Sequence, residues 1–169
     1  MTCVGVFSNK FSDIFEFHLF FDDKFMPSNC KQYVRSVIDK LEDFNLAGLN
    51  DKDFQTLRLS LSKFAKSNKC LKVHVHFISN NEIADLNLQY YKGKRIPTDI
   101  LTFPYGIDSD SVLFGEIFIS YQMLENNKFQ EDVKNYCTRL IIHGILHLVL
   151  GHHSDQFDQL EDALIRSVI

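Results

Sequence analysis

The sequence predicts an α+β fold, a single domain in which a small mixed β-sheet of about four strands is packed with helices. Three observations predict it. Residues Leu71 to Ile78 alternate strictly, with Leu71, Val73, Val75 and Phe77 on one face and Lys72, His74, His76 and Ile78 on the other, which is the period of a half-buried strand. Two further β-prone segments, Thr98 to Phe103 and Gly115 to Ser120, read as neighbours in one sheet. From about Gln130 to Leu150 runs the longest helical pattern, with Tyr136, Cys137, Leu140, Ile141, Ile145 and Leu148 at its apolar positions. Apolar residues nearly surround its second half, which makes this helix central and covered on most sides.

The remaining elements follow in chain order. Ile14 to Phe21 alternates loosely, is rich in phenylalanine and predicts a strand leading to a turn at Asp22, Asp23 and Lys24. Pro27 and Ser28 open a helix in which Val34, Val37, Ile38 and Leu41 keep helical spacing to about Phe44. Asn45 to Asp51 reads as a loop. Phe54, Leu57, Leu61 and Phe64 then predict an amphipathic helix from Asp53 to Ala65. After the strand at Leu71, Ser79 or Asn80 caps a helix carrying Ile83, Leu86 and Leu88 toward Tyr90. Pro104 closes the next strand, and Gly151 ends the long helix. Ser154 caps a last helix whose stripe of Phe157, Leu160, Leu164 and Val168 packs back on the domain.

At 169 residues the chain suffices for one core that buries about 70% of its unfolded surface. No repeat, low-complexity tract or Pro/Ser-rich linker divides it, so residues 1–169 read as one domain. Cys3, Cys30, Cys70 and Cys137 have no short spacing, which argues against a C-x-x-C redox pair or a zinc ribbon and fits reduced thiols. The first residues lack a basic segment followed by a long apolar run, and no stretch approaches the roughly 18 apolar residues of a membrane span. A soluble cytoplasmic protein without a membrane partner is expected. A net charge of −4 argues against broad electrostatic coating of nucleic acid but leaves room for a local basic cleft. The densest basic cluster is Lys92, Lys94 and Arg95, beside Tyr90 and Tyr91, and taken alone it reads as a solvated turn.

The most informative stretch is H-G-I-L-H-L-V-L-G-H-H, residues 143 to 153. His143 and His147 stand one helical turn apart, where side chains share a face with Cβ atoms about 5–6 Å from each other. His153 arrives beyond a glycine. A lone histidine on an apolar helix is more often packed than metal-bound, but three at these offsets point to a zinc site, on a central helix of zincin-like kind. Three protein ligands with a fourth position for water or substrate is the arrangement of a catalytic zinc, whereas structural zinc is closed by four ligands. Gly144 and Gly151 cost about 1 kcal/mol each relative to Ala within a helix, so a segment built for packing alone would gain from their replacement. His74 and His76 are a second histidine pair, on the polar face of their strand, where a lightly covered pair is the simpler reading than a metal site.

In order along the chain, N-L-Q-Y-Y-K-G-K-R-I-P-T-D-I-L-T-F-P, then G-E-I-F-I-S, then H-G-I-L-H-L with its third histidine ten residues after the first, resemble the signature of the YbeY family. These are zinc-dependent bacterial endoribonucleases that mature ribosomal RNA. The resemblance runs from about Leu71 to the C-terminus, and the first 70 residues match only in general layout. It implies one zinc ion per chain held by His143, His147 and His153, with ribosomal RNA precursors and ribosomal particles as partners. Three positions depart from the family pattern. Leu150 stands where the family has its glycine and Gly151 comes one later, so the helix is expected to run one residue further. His152 replaces an aspartate just before the third histidine, and is an alternative ligand or a neighbouring proton carrier. Lys92 falls where the family has an arginine that contacts RNA and supports cleavage. It is the candidate catalytic residue, with its charge kept and the bidentate fork lost.

Zinc lowers the pKa of its bound water to about 7 and stabilises charge on a phosphoryl oxygen, and both suit phosphodiester cleavage. In zinc proteases the residue after the first histidine is a glutamate acting as general base. Here it is Gly144, which weighs against proteolysis. RNA offers its own 2′-hydroxyl as a nucleophile, so a dedicated carboxylate base is less essential. Lys94, Arg95 and Arg139 are further candidates to line the approach, although Arg139 equally suits pairing with a surface carboxylate. Tyr90 and Tyr91 are candidates to stack on unpaired bases, with at least one expected in the core. The leading expectation is a single-strand-specific zinc endoribonuclease of ribosomal RNA maturation and ribosome quality control. The alternative is a zinc-stabilised, ribosome-associated maturation factor with little cleavage of its own.

Overall fold

The structure is a computed structural model that describes residues 14–21, 26, 28–62, 71–91, 93–105, 113–126 and 132–169. The expected turn at Asp22 to Lys24, the helix end around Ala65, and Lys92 lie outside the described residues. Strands β1 (Phe15–Phe21), β2 (Leu71–Ile78), β3 (Ile100–Pro104) and β4 (Leu113–Ser120) form one sheet in the order β1-β2-β4-β3. β1 and β4 run parallel to β2, and β3 is antiparallel to β4 with Thr102 opposite Ile117. This is the mixed four-stranded α+β architecture expected.

The period of two in β2 decides what each face of the sheet does. Val73, Val75 and Phe77 are fully buried, together with Phe15 of β1 and Ile117 and Ile119 of β4. They meet the apolar stripe of α1 (Ser28–Glu42), where Val34, Val37, Ile38 and Leu41 keep the expected spacing, and the second half of α5 (Val133–Leu150). Each such side chain removed from water contributes about 1.5–3 kcal/mol. The opposite face carries His18, Phe20, His74, His76, Glu116 and Phe118, half-buried or exposed.

Local chemistry sets the helix ends. Helix α2 (Asp51–Ser62) starts two residues earlier than the apolar pattern implies, because Asn50 Oδ1 accepts the Asp53 amide at 2.9 Å while Asn50 Nδ2 donates to the Asp53 carboxylate at 2.6 Å. Helix α3 (Asn80–Tyr91) opens on a capping box, with the Ser79 amide donating to Glu82 at 2.8 Å and the Glu82 amide to Ser79 Oγ at 3.3 Å. Its Ile83 is buried, but Leu88 is 46% exposed and does not serve the core as the pattern predicted. A short helix, α4 (Tyr121–Glu125), capped by Ser120, was not expected. Five residues are too few to show a period.

Helix α5 is the central element, capped by Asp132, whose side chain accepts the Lys134 amide. It packs on α1, α6 (Asp155–Val168), β3 and β4. A Cβ on Gly144 would meet Ile117 Cδ1 at 2.7 Å, and one on Gly115 of β4 would overlap Leu148 and sit 2.9 Å from the Phe103 carbonyl oxygen. Gly144 therefore exists for packing, because only a bare Cα lets helix and strand approach this closely. That corrects the expectation that a segment built for packing would gain from its replacement. Gly151 differs, for its φ of +84° is the left-handed turn that ends the helix, and its amide donates back to the His147 carbonyl at 3.0 Å. The helix thus runs through Leu150, the place of the family's usual glycine, and turns one residue later at Gly151, as expected.

Candidate metal centre

The last two turns of α5 and the connection into α6 bring three imidazoles together. His143 and His147 share one face of α5. The Gly151 turn reverses the chain, and Ser154 Oγ caps α6 by accepting the Phe157 amide at 3.2 Å, which sets His153 opposite them. The ring centres lie 4.6 Å (His143 to His147), 5.1 Å (His143 to His153) and 4.7 Å (His147 to His153) apart. One nitrogen from each falls within 4.8 Å of the others, a group able to hold a metal ion. Phe157, fully buried, is the floor, its ring centre 5.4, 4.8 and 4.5 Å from those of His143, His147 and His153. The spacing of the sequence is realised with His153, not His152, in the group. His152 is exposed and lines the neighbouring cleft.

The backs of two of the rings are held. His147 Nδ1 lies 2.6 Å from the Gly151 carbonyl oxygen and His143 Nδ1 lies 2.6 Å from Glu161 Oε1. Both partners are acceptors, so both Nδ1 atoms donate, and the two Nε2 atoms, 3.0 Å apart, carry the lone pairs of the neutral rings. Two lone pairs aimed at one point repel unless a cation lies between them. Donor set and orientation therefore fit a metal ion. Burial holds the His147 imidazole below the usual histidine range, against the pull of the Gly151 carbonyl, and the neighbouring His143 and His153 push the same way. A neutral ring is the metal-binding form. His153 is more open, with its Nδ1 3.6 Å from Asp158 Oδ1.

Glu161 went unnoticed in the sequence. It stands on α6, eighteen residues from His143, and the faint signal was a carboxylate beside Leu160 on the stripe that packs inward. Such a carboxylate fixes the tautomer and aim of a ligand histidine.

A cleft of about 470 Å³ opens over the histidines, lined by Tyr91, Ile100, Leu101, Thr102, Pro104, His143, His147, Gly151 and His152. Asp99 holds the β3 wall in place, because its Oδ1 accepts the Ile100 amide at 2.9 Å and its Oδ2 accepts the Tyr136 hydroxyl of α5 at 2.8 Å. Other candidates are placed differently than expected. Tyr90 and Tyr91 are 56% and 53% exposed, so neither belongs to the core. Tyr91 lines the cleft with its hydroxyl donating to the Thr102 carbonyl at 3.1 Å, and Tyr90 packs edge-on against Phe103. Arg95 is paired with Asp85 on the surface rather than free toward the cleft, and Lys94 is exposed. Arg139 is half-buried one turn before His143 and outside the cleft lining.

Comparison with known proteins places this arrangement. A family profile described as Endoribonuclease YbeY matches residues 36–163, well over half of the chain. An endoribonuclease YbeY of Carboxydothermus hydrogenoformans is 35% identical over 101 residues, 56% of this chain and 64% of that one, so the match spans less than two thirds of that relative. One from Thermotoga sp. RQ2 is 34% identical over 63% of this chain and 70% of its own. One from Prochlorococcus marinus AS9601 is 28% identical over 94% of this chain and 82% of its own. The solution structure of TM1509 from Thermotoga maritima has the same fold, with a TM-score of 0.54 at 23% identity over 90% of this chain and 89% of that one. No helix among the described residues is long and apolar enough to cross a membrane. On the family match, and with the histidine cluster where the signature puts it, this chain belongs to the YbeY family.

Proposed function

We propose that this protein is a zinc-dependent endoribonuclease, specific for single-stranded RNA, that acts on ribosomal RNA precursors and ribosomal particles in the cytoplasm. The observation that carries the reading is the convergence of His143, His147 and His153 beside an open cleft that the first two line, with the back nitrogens of those two committed to Glu161 and Gly151. His143, His147 and His153 would hold the ion. Zinc supplies Lewis acidity toward a phosphoryl oxygen and brings the ionisation of a coordinated water near neutral pH.

The chain's own residues do the rest. Glu161 keeps Nδ1 of His143 protonated, and the Gly151 carbonyl does so for His147, so the Nε2 lone pairs stay available in the cleft. Tyr91, anchored through its hydroxyl to β3, offers an aromatic wall against which an unpaired base can stack, whereas a duplex keeps its bases in their own stack. Lys92, next to Tyr91 in sequence, is assigned to a phosphate oxygen as a point charge. No glutamate follows His143, so the peptidase pattern lacks its general base, and the 2′-hydroxyl of RNA can serve as the nucleophile.

One observation favours the second reading, a zinc-stabilised ribosome factor with slight cleavage activity: among the described residues, none that lines the cleft is a lysine or arginine. The test is cleavage of a ribosomal RNA fragment, single-stranded or annealed to its complement, by the wild type and by His147→Ala with bound metal quantified. The nuclease reading expects the wild type to cut the single strand and the variant to lose both metal and cutting. Salt-sensitive RNA binding without cleavage by zinc-loaded wild type would favour the ribosome factor.

A further inference from the structure

The second histidine pair is lightly covered, as expected, and has a carboxylate neighbour that the sequence did not show. On the face of the sheet opposite α5, His74 and His76 of β2 converge on Glu116 of β4, the residue in register with His74. Glu116 Oε1 lies 2.9 Å from His76 Nε2 and 3.9 Å from His74 Nδ1. We propose that His74, His76 and Glu116 form a second metal site, which takes a divalent late first-row transition-metal ion such as zinc and clips the two central strands together.

Geometry carries the assignment. A tetrahedral zinc with bonds of about 2.0–2.2 Å to imidazole and carboxylate holds its ligand atoms about 3.3 Å apart. The separations of 2.9 and 3.9 Å bracket that value, and one ligand atom from each residue already lies within 4.8 Å of the others. An ordinary ion pair needs one imidazole on the carboxylate, whereas here two bear on the same oxygen. Two of the three groups are held in place by neighbours. The His76 ring is stacked between Phe20 at 4.7 Å and Phe118 at 4.4 Å, with interplanar angles of 14° and 10°. The Tyr105 hydroxyl donates to the other carboxylate oxygen, Oε2, at 2.6 Å, which leaves Oε1 for the shared position. Outer partners of this kind tune a metal site. The side chains of His74, His76 and Glu116 are 26%, 20% and 21% exposed, dry enough to favour coordination and open enough for an ion to enter.

The donor set selects the ion. Two imidazoles and one carboxylate suit zinc and its neighbours, while magnesium and calcium take oxygen ligands. His18, whose ring centre is 5.4 Å from that of His74, is drawn away by Glu16 at 2.7 Å and stays outside the set. Glu116 and Ile117 are adjacent in β4 and face opposite sides, so the thickness of the sheet separates this site from the cluster on α5. The two sites stand or fall separately.

Zinc bound per chain, measured after equilibration at micromolar free zinc, tests the proposal in four proteins: wild type, His143→Ala/His147→Ala, His76→Phe and the triple variant. His76→Phe keeps the stacking between Phe20 and Phe118 while removing the ligand. Two ions in the wild type, one in each of the first two variants and none in the triple variant are expected. One ion in wild type that is lost in the α5 double variant and kept in His76→Phe overturns the proposal, and so does a His76→Phe protein that is folded by its thermal melt and still binds two. Glu116→Gln, which keeps an acceptor for Tyr105, is the second variant and is also expected to bind one ion fewer than wild type. An α5 double variant that still binds two would instead count against the reading of the α5 cluster.

Discussion

Glu161 accepts the Nδ1 proton of His143 across 2.6 Å, and this bond between the last helix and the central one aims the neighbouring nitrogen into the cleft. Residues eighteen apart are thereby committed to one task. Outer-shell partners of this kind are worth about 10–100-fold in metal affinity. Glu161→Ala is therefore expected to weaken zinc binding by about that factor in a competition titration with a chelator, and Glu161→Gln, which still offers an acceptor oxygen, by less. Equal affinity in all three proteins would show that His143 needs no orienting partner.

Asp99 couples the cleft wall to the helix beneath it. Its carboxylate accepts from Tyr136 and from the Ile100 amide, and hydrogen bonds to charged groups are worth about 1.5–3 kcal/mol each. Tyr136→Phe is expected to cost about 1.5 kcal/mol in urea denaturation. Asp99→Ala should cost about 3 kcal/mol, because it removes at once the acceptor of the Tyr136 hydroxyl, the Ile100 amide and the Thr98 hydroxyl. If Asp99→Ala were no worse than Tyr136→Phe, the carboxylate would not be the shared anchor.

Gly144 poses a contest of two known effects. Alanine gains about 1 kcal/mol of helix propensity over glycine. Against that, its Cβ would meet Ile117 Cδ1 at 2.7 Å and the two Cγ atoms at 3.0 Å, and overpacking costs typically about 1–3 kcal/mol. Gly144→Ala is expected to be destabilising by about 1 kcal/mol, and Ile117→Val in the same protein should recover most of the loss. Additive losses in the double variant would contradict this account of the helix–strand approach.

Burial raises the thiol pKa of Cys137, which is fully buried, and of Cys30, where the Glu125 carboxylate at 3.0 Å adds to the effect. The sign follows from proton linkage. A folded-state pKa above the unfolded one means that the native state keeps its proton longer, so the contribution is full below about pH 8.5 and is lost as pH rises beyond it. Stability measured by urea denaturation should fall from pH 7.5 to pH 9.5, and by less in Cys137→Ala. Both thiols should also resist alkylation at pH 8 in the native protein, read in a Cys3→Ser/Cys70→Ser background.

The sequence carried the central helix well because its signals are local. The apolar run, the i, i+4 histidines and the stop at Gly151 all lie within twenty residues, and α5 ends where they imply. The β2 alternation was equally plain, and it placed β2 with one face buried. What stayed hidden depends on distance in sequence. Glu161 reaches His143 only once α6 folds back, and Glu116 reaches His76 only through the β2–β4 pairing, forty residues apart. Gly144 was misread because the partner that demands its bare Cα, Ile117, lies on another element. At least one of Tyr90 and Tyr91 was expected in the core and neither is there, because aromatic character does not say which side of a helix end is covered.

The most direct test of the central claim returns zinc to chelated protein and follows cleavage of a single-stranded ribosomal RNA fragment, with His152→Ala and His153→Ala beside the wild type. The account expects activity to return in the wild type and in His152→Ala, and to stay absent in His153→Ala, which should also fail to take up the ion on α5. Cleavage that persists in chelated protein, or that returns in His153→Ala and not in His152→Ala, would contradict it.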